Sequence, residues 1–281
     1  MALPSVMKVN LTAVYGNELQ LTDIVQGIDR NHNPEFTTCE FYCTYAGLEE
    51  LIDMTETMFL RLSRVVAALI EGGCRSLSPF QADFSPPYPR LDFIPAIEAA
   101  TGRSLPLLTS PEAQAILLQL FSEKSIPLPS PPTIPRLLDK LSATFIEPQC
   151  DAPTWIINHP ECLSPLSKSF DHPDNKQRVA ARAELFVNKQ EFVNTYEEEN
   201  SPTEQRRKFE EQFLSNEGDS EAGVDESYLQ ALRWGLPPTG GWGCGVDRLC
   251  MLFSGSTRIA DVLPFGTLRN VVSLRQVDGK L

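Results

Sequence analysis

The chain has 281 residues, a formal net charge of −13 at neutral pH, and 42% hydrophobic and 22% charged residues. Length and composition fit one or two globular domains, and the absence of a run of about 18 apolar residues argues against a membrane span. The acidity counts against a general nucleic-acid binder, which needs clustered Lys and Arg, although a local basic face could still handle RNA.

The opening stretch, MALPSVMKVNLTAVYGNEL, has neither a signal-peptide core nor an Arg-rich transit pattern, and residues 1–25 carry no motif. The seven cysteines form no CxxC pair, so they read as reduced intracellular thiols rather than a disulfide frame or zinc site. NPEFTTCEFYCTY (33–45) predicts a strand entered through a turn at Asn33-Pro34. From Ala46 the pattern turns helical, with Leu48, Leu51, Ile52, Phe59, Leu62, Val66 and Leu69 on one face, and Gly72-Gly73 ending it.

The stretch 79–150 is richer in proline. A helix is expected from Ser110 to Phe121, with Ser110 as N-cap and Pro111 at its first position. An irregular linker (Ser125 to Pro135) and a second short helix (Arg136 to Phe145) complete what reads as a helical insertion on a strand-based core. Strand signals return with TWIIN and RAELFVNKQEFVNTYEEE. Ser201-Pro202-Thr203-Glu204 is a capping box for a charged helix through about Leu214, and SNEGDSEAG is a polar loop. A helix near Asp225 to Trp234 stops at Gly235, and a glycine-rich turn then leads into a helix carrying Asp247, Arg248 and Leu252. This order predicts an antiparallel α+β core rather than a βαβ series.

Three constellations carry potential chemistry. On a strand, residues 36, 38, 40 and 42 share one face, which brings together Phe36, Glu40 and Tyr42, with His32 upstream. Such a face is either a site or an exposed half of a sheet. Glu184, Glu191, Asn194 and Glu198 interleave with apolar residues. They are either a solvated acidic face or carboxylates that need a cation. Seven residues apart, Glu184 and Glu191 converge only if a hairpin turns at Asn188-Lys189. The third is GGWGCGVDRL, ending at Leu249; it fits neither a dinucleotide fingerprint nor a P-loop, and its glycines permit close backbone approach or serve structure alone.

Together these segments resemble the class II lysyl-tRNA synthetases from about Gly27 onward. HNPEFTTCEFY is similar to the second half of that family's motif 2, and GGWGCGVDR, with PPTGG before it, to motif 3. NHPECLSPLSK and EFVNTYEEENSP match the family's HP…SPLAK segment and glutamate-bearing strand. The EEENSP and GGWGCG wording resembles most the fungal mitochondrial branch, which implies a mitochondrial setting, with the cytoplasm as the other possibility.

The resemblance implies an antiparallel sheet flanked by helices and an ATP-dependent lysine–tRNA ligase acting on lysine, ATP and tRNA(Lys) with Mg²⁺. By position it places His32 and Arg248 at the ATP phosphates and Phe36 against adenine. It places Glu40, Tyr42, Asn194 and Glu198 around lysine, and Glu184 and Glu191 on Mg²⁺. Where motif 2 normally has Phe-Arg-Asn-Glu-Gly, this chain has Asp23-Ile24-Val25-Gln26-Gly27. Loss of a preorganised cationic donor costs about 10²–10³ in rate. Residues 1–26 therefore read as an atypical segment ahead of a partial catalytic domain (27–281). Motif 1, the family's dimer element, and the anticodon-reading OB-fold find no counterpart in this sequence. Two expectations follow: unpaired sheet edges with low stability, and either a lysine–tRNA ligase or a non-catalytic relative that binds ATP, lysine or a partner synthetase.

Overall fold

In EFTTCEFYCT, aromatic and β-branched residues alternate with a period of two, the pattern of a strand with two different faces. The computed structural model describes residues 6–13, 35–215 and 224–263, with 6–13, Glu35 and Ser215 given by backbone alone. It contains β1 (Val6–Ala13), β2 (Glu35–Thr44), β3 (Arg90–Asp92) and β4 (Thr154–Ile157). β5 (Ser169–Asp171), β6 (Arg178–Ala180), β7 (Arg182–Val187), β8 (Gln190–Glu197) and β9 (Thr239–Gly245) follow. Seven of them form one sheet in the order β1-β2-β9-β8-β7-β4-β3, and β5–β6 make a separate ribbon. All neighbours in the large sheet run antiparallel except β3 and β4. The α+β architecture expected from the sequence is therefore the one observed. β1 pairs with β2 along most of its length, so the edges of the sheet are β1 and β3.

One face of the sheet is covered by α1 (Leu48–Glu71). Leu51, Ile52, Phe59 and Val66 bury against Leu185, Val193, Trp242 and Cys244 from the strands. Burying apolar side chains of this size stabilises by about 1.5–3 kcal/mol each. Leu69, expected on that face, is half exposed in the last turn of α1. Trp242 donates its indole N–H to Thr55 on α1 (2.8 Å), and Phe41 stacks on Trp242 at 4.9 Å. The start of α1 is held by two carboxylates. Glu50 accepts the Gly47 N–H (2.7 Å), and Glu197, at the end of β8, accepts the Leu48 N–H (3.1 Å).

The other face is divided. Over β4 and β7 lie α2 (Phe93–Thr101), α3 (Ala113–Glu123) and α4 (Ile134–Phe145), whose Phe93, Ile97, Leu117, Phe121, Leu137 and Leu141 pack with Ile156 and Phe186. α3 begins at Ala113, not Ser110. The carbonyl of Ser110 accepts the Ala113 N–H in a tight turn (3.1 Å), while its hydroxyl is buried with no partner and caps nothing. α4 starts two residues earlier than expected, with Pro135 in its first turn, where a missing N–H costs nothing.

α5 (Pro202–Ser215) has half of the expected capping box. Ser201 accepts the Glu204 N–H at 3.4 Å, but Glu204 turns to Arg207, and Glu199 takes the Ser201 N–H instead. α6 (Glu226–Arg233) is capped by Asp225, which accepts the Tyr228 N–H, and α7 (Val246–Ser254) follows β9 directly. Most of SNEGDSEAG lies outside the described residues. Over β2, β9 and β8 the second sheet face carries no helix layer from α2–α4, and the candidate site lies there.

Candidate functional site

Parity along three strands builds the site. Cys39 and Phe41 of β2 pack with the α1 cluster, so Phe36, Thr38, Glu40 and Tyr42 face the other way, into a cavity of about 440 Å³. On β9, Trp242 and Cys244 point into the core, which leaves Gly241, Gly243 and Gly245 on the cavity side. The glycine-rich segment is thus a central strand rather than a turn. Its cavity-side glycines lie opposite Tyr42, Glu40 and Thr38 of β2 in register. A Cβ on Gly241 would sit 2.0 Å from Oε1 of Glu198, so the missing side chain makes the space that the carboxyl occupies.

β8 supplies Asn194, Tyr196 and, just past its end, Glu198. The hairpin to β7 turns at Asn188 and Lys189, both in the left-handed region (φ 51° and 63°), as a type I′ turn requires. Regular alternation would nevertheless send Glu191 away from Asn194. The pairing steps from Leu185↔Val193 to Phe186↔Glu191, which leaves Phe192 as an extra residue in β8. Phe192 and Val193 both join the α1 cluster, and Glu191 comes back to the cavity side.

Seven predicted site residues therefore line one cavity: Phe36, Glu40, Tyr42, Glu191, Asn194, Glu198 and Arg248. Glu184 stands beside that lining, opposite Asn194 in register. His32 lies outside the described residues, as do Ile24 and Gln26.

The electrostatics are uneven. Glu198 is buried, its Oε1 has no hydrogen-bond partner, and burial pushes the carboxyl up to about 8. Burial first, and then the charges of Glu198 and Glu40, also raise the Tyr42 phenol. Burial acts to raise Glu184, but His159 (3.0 Å) and the Arg182 guanidinium outweigh it and hold that carboxyl well below the usual range. Glu191 is displaced upward by burial and by Glu184, against the pull of Arg248, whose Nη1 lies 3.7 Å away and donates to the Glu191 carbonyl at 2.6 Å. Asp247 accepts the Thr37 N–H (2.6 Å) and ties α7 to β2.

The arrangement can hold a cation at Glu198, and the tension between Glu184 and Glu191 is of the kind a divalent ion relieves. Among the described residues there is no group of three or more His, Cys, Asp or Glu suited to hold a metal by itself. Mg²⁺ commonly takes one or two carboxylates and fills its remaining positions with phosphates and water. The three glutamates of the EEE run diverge: Glu197 caps α1, Glu198 faces the cavity, and Glu199 pairs with buried Lys208 at 2.8 Å.

Sequence reasoning missed Arg182 and His159. Arg182 lies two residues before Glu184 on one strand, hence on one face, and that spacing was the available signal. His159 sits in the HP pair of NHPECLSPLSK.

Residues 26–269 match the family described as tRNA synthetases class II (D, K and N). The chain is 40% identical over 252 residues to lysine–tRNA ligase cla4 of Cladosporium cladosporioides, covering 87% of this chain and 42% of that protein. It is 40% identical over 253 residues to the mitochondrial lysine–tRNA ligase of Schizosaccharomyces pombe, covering 88% and 47%. Over 248 residues it is 38% identical to the lysine–tRNA ligase of Enterococcus faecalis, covering 87% and 48%. The chain thus spans just under half the length of these relatives.

Proposed function

Because this chain belongs to the class II tRNA synthetases (D, K and N), we propose that its cavity binds lysine beside ATP and serves the lysine-activation step of a lysine–tRNA ligase. The observation that carries this reading is Glu198, a buried carboxyl without a hydrogen-bond partner at Oε1, facing a cavity. An ionised carboxylate is expensive there unless a cation desolvates with it, and an ε-ammonium is such a partner.

In this reading the lysine chain lies over the glycine floor of β9, with Glu40 and Tyr42 alongside it and Asn194 at its carboxylate. Phe36 offers its ring to adenine, and Arg248 takes the γ-phosphate end of ATP. Glu184 and Glu191 would hold Mg²⁺, which supplies charge neutralisation on the nucleotide phosphates. The lysine carboxylate attacks the α-phosphorus, forming lysyl-adenylate and releasing pyrophosphate, and a hydroxyl at the 3′ end of tRNA(Lys) then takes the lysyl group with release of AMP. Such chemistry needs positioning and charge compensation rather than a protein nucleophile. A mitochondrial setting is proposed from likeness to the fission-yeast mitochondrial relative.

Lysine-dependent exchange between ATP and pyrophosphate tests the proposal. Exchange is expected, and its absence at high protein concentration removes activity from this polypeptide. A second reading, binding without catalysis, rests on the resemblance, in which Ile24 and Gln26 stand where the family has its motif 2 arginine and glutamate. Saturable lysine and ATP binding with no exchange would select that alternative.

A further inference from the structure

Arg182 has no role in the reading above, yet its guanidinium is tied to four separate groups beside the cavity. Its side chain is 16% exposed. Nε donates to Oδ1 of Asn194 at 2.9 Å, Nη1 to the Leu163 carbonyl and the Ser164 hydroxyl at 2.9 Å each, and Nη2 to Glu184. A planar guanidinium with its donors in a fixed fork can serve three directions at once, which a lysine ammonium cannot do with the same geometry.

The bond to Asn194 has a chemical consequence. A side-chain amide is an acceptor at one end and a double donor at the other. With Oδ1 committed to the Arg182 N–H, the amide's other end is Nδ2, and Asn194 lines the cavity. The cavity therefore meets a donor at this position, suited to an anion, although Glu40, Glu191 and Glu198 make the surrounding wall acidic. If the amide turned over, it would offer an oxygen to the same anion and repel it. The Leu163–Ser164 contacts anchor the guanidinium from a separate loop, so its placement does not depend on Asn194.

We propose that Arg182 is a positioning residue that fixes the Asn194 amide with its NH₂ toward the cavity, and thereby makes the site select amines that carry an α-carboxylate. The inference rests on the lysine reading given above.

The test compares lysine with cadaverine, the same carbon chain without the carboxylate, by calorimetric titration of the full chain and its variants. The parent should prefer lysine. In R182K and R182Q, lysine affinity should fall about tenfold or more, the range expected for a hydrogen bond to a charged group, while cadaverine affinity stays within about twofold. In an N194A background, R182K should cause no further loss for lysine. Lysine binding unchanged in R182K overturns the inference. Equal loss of lysine and cadaverine also overturns it, because it gives Arg182 a general structural role. A parent that binds neither amine, or binds both alike, refutes the lysine reading itself, which is a different outcome from a selective parent whose variants keep that selectivity.

Discussion

Replacing Glu198 by glutamine exchanges one cavity oxygen for an amide at nearly constant shape. In the free protein burial raises this carboxyl from 4.5 to about 8. At about 1.4 kcal/mol per pH unit, that rise corresponds to roughly 5 kcal/mol against the ionised form. A carboxyl whose folded value is raised contributes its full stability below the unfolded value and loses it as pH climbs through the folded one. The free parent should therefore lose stability between about pH 4.5 and 8 through this group, and E198Q should not. Urea titrations at about pH 4 should place the two proteins close together. At about pH 9 E198Q should be the more stable by up to roughly 5 kcal/mol.

The same displacement links binding to protons. At about pH 7 roughly nine in ten molecules hold a proton on Glu198, and an ammonium ligand needs the carboxylate. Lysine binding should release about 0.9 proton per molecule bound, read from calorimetry in buffers of different ionisation enthalpy, and E198Q should abolish both the release and most of the affinity. Parallel stability–pH curves for the two proteins, together with lysine binding that releases no proton, would refute the reasoning.

Three further substitutions probe the frame around the cavity. G241A places a methyl 2.0 Å from Oε1 of Glu198, so the carboxyl must leave its position. Lysine binding measured by titration should be lost while a cooperative thermal transition remains. T55V leaves the buried Trp242 indole N–H without its acceptor. It should cost about 1–3 kcal/mol in urea unfolding, with T55S recovering most of the loss. E199A strands the buried Lys208 ammonium, which bonds to the Ser167 carbonyl and to Glu199. A loss of about 3–5 kcal/mol is expected, and a change below about 0.5 kcal/mol would show the pair to be dispensable.

The period-two alternation of β2 was legible in the sequence, and it correctly assembled Phe36, Glu40 and Tyr42 on one face. So was the Asn188-Lys189 turn, because left-handed backbone favours asparagine at such sites. Other features depended on contacts distant in sequence. Gly-Trp-Gly-Cys-Gly has low intrinsic strand propensity, yet it forms a central strand because β2 and β8 pair with it on both sides. Ser110-Pro111 looks like a helix start, but a turn closes through the Ser110 carbonyl first. Arg182 on a strand resembles an ordinary half-exposed charge until the Leu163–Ser164 loop is folded against it.

The additional residue at Phe192 acts as a phase slip in β8. Before it, an odd-numbered side chain, Glu191, looks into the cavity; after it, the even-numbered Asn194, Tyr196 and Glu198 do. The bulge therefore reconciles the odd spacing between Glu191 and Asn194 with a single face of the sheet. Straightening the bulge at constant length would rotate Glu191 toward Phe59 and the apolar side of the sheet, whereas deleting Phe192 would leave Phe186↔Glu191 and Leu185↔Val193 as consecutive pairs with Glu191 and Asn194 still on one face. Loss of the bulge at constant length is consequently the change that breaks the site. A relative lacking the residue at 192 would pair regularly there and present the same groups to its ligand, whereas one of equal length with no bulge would not.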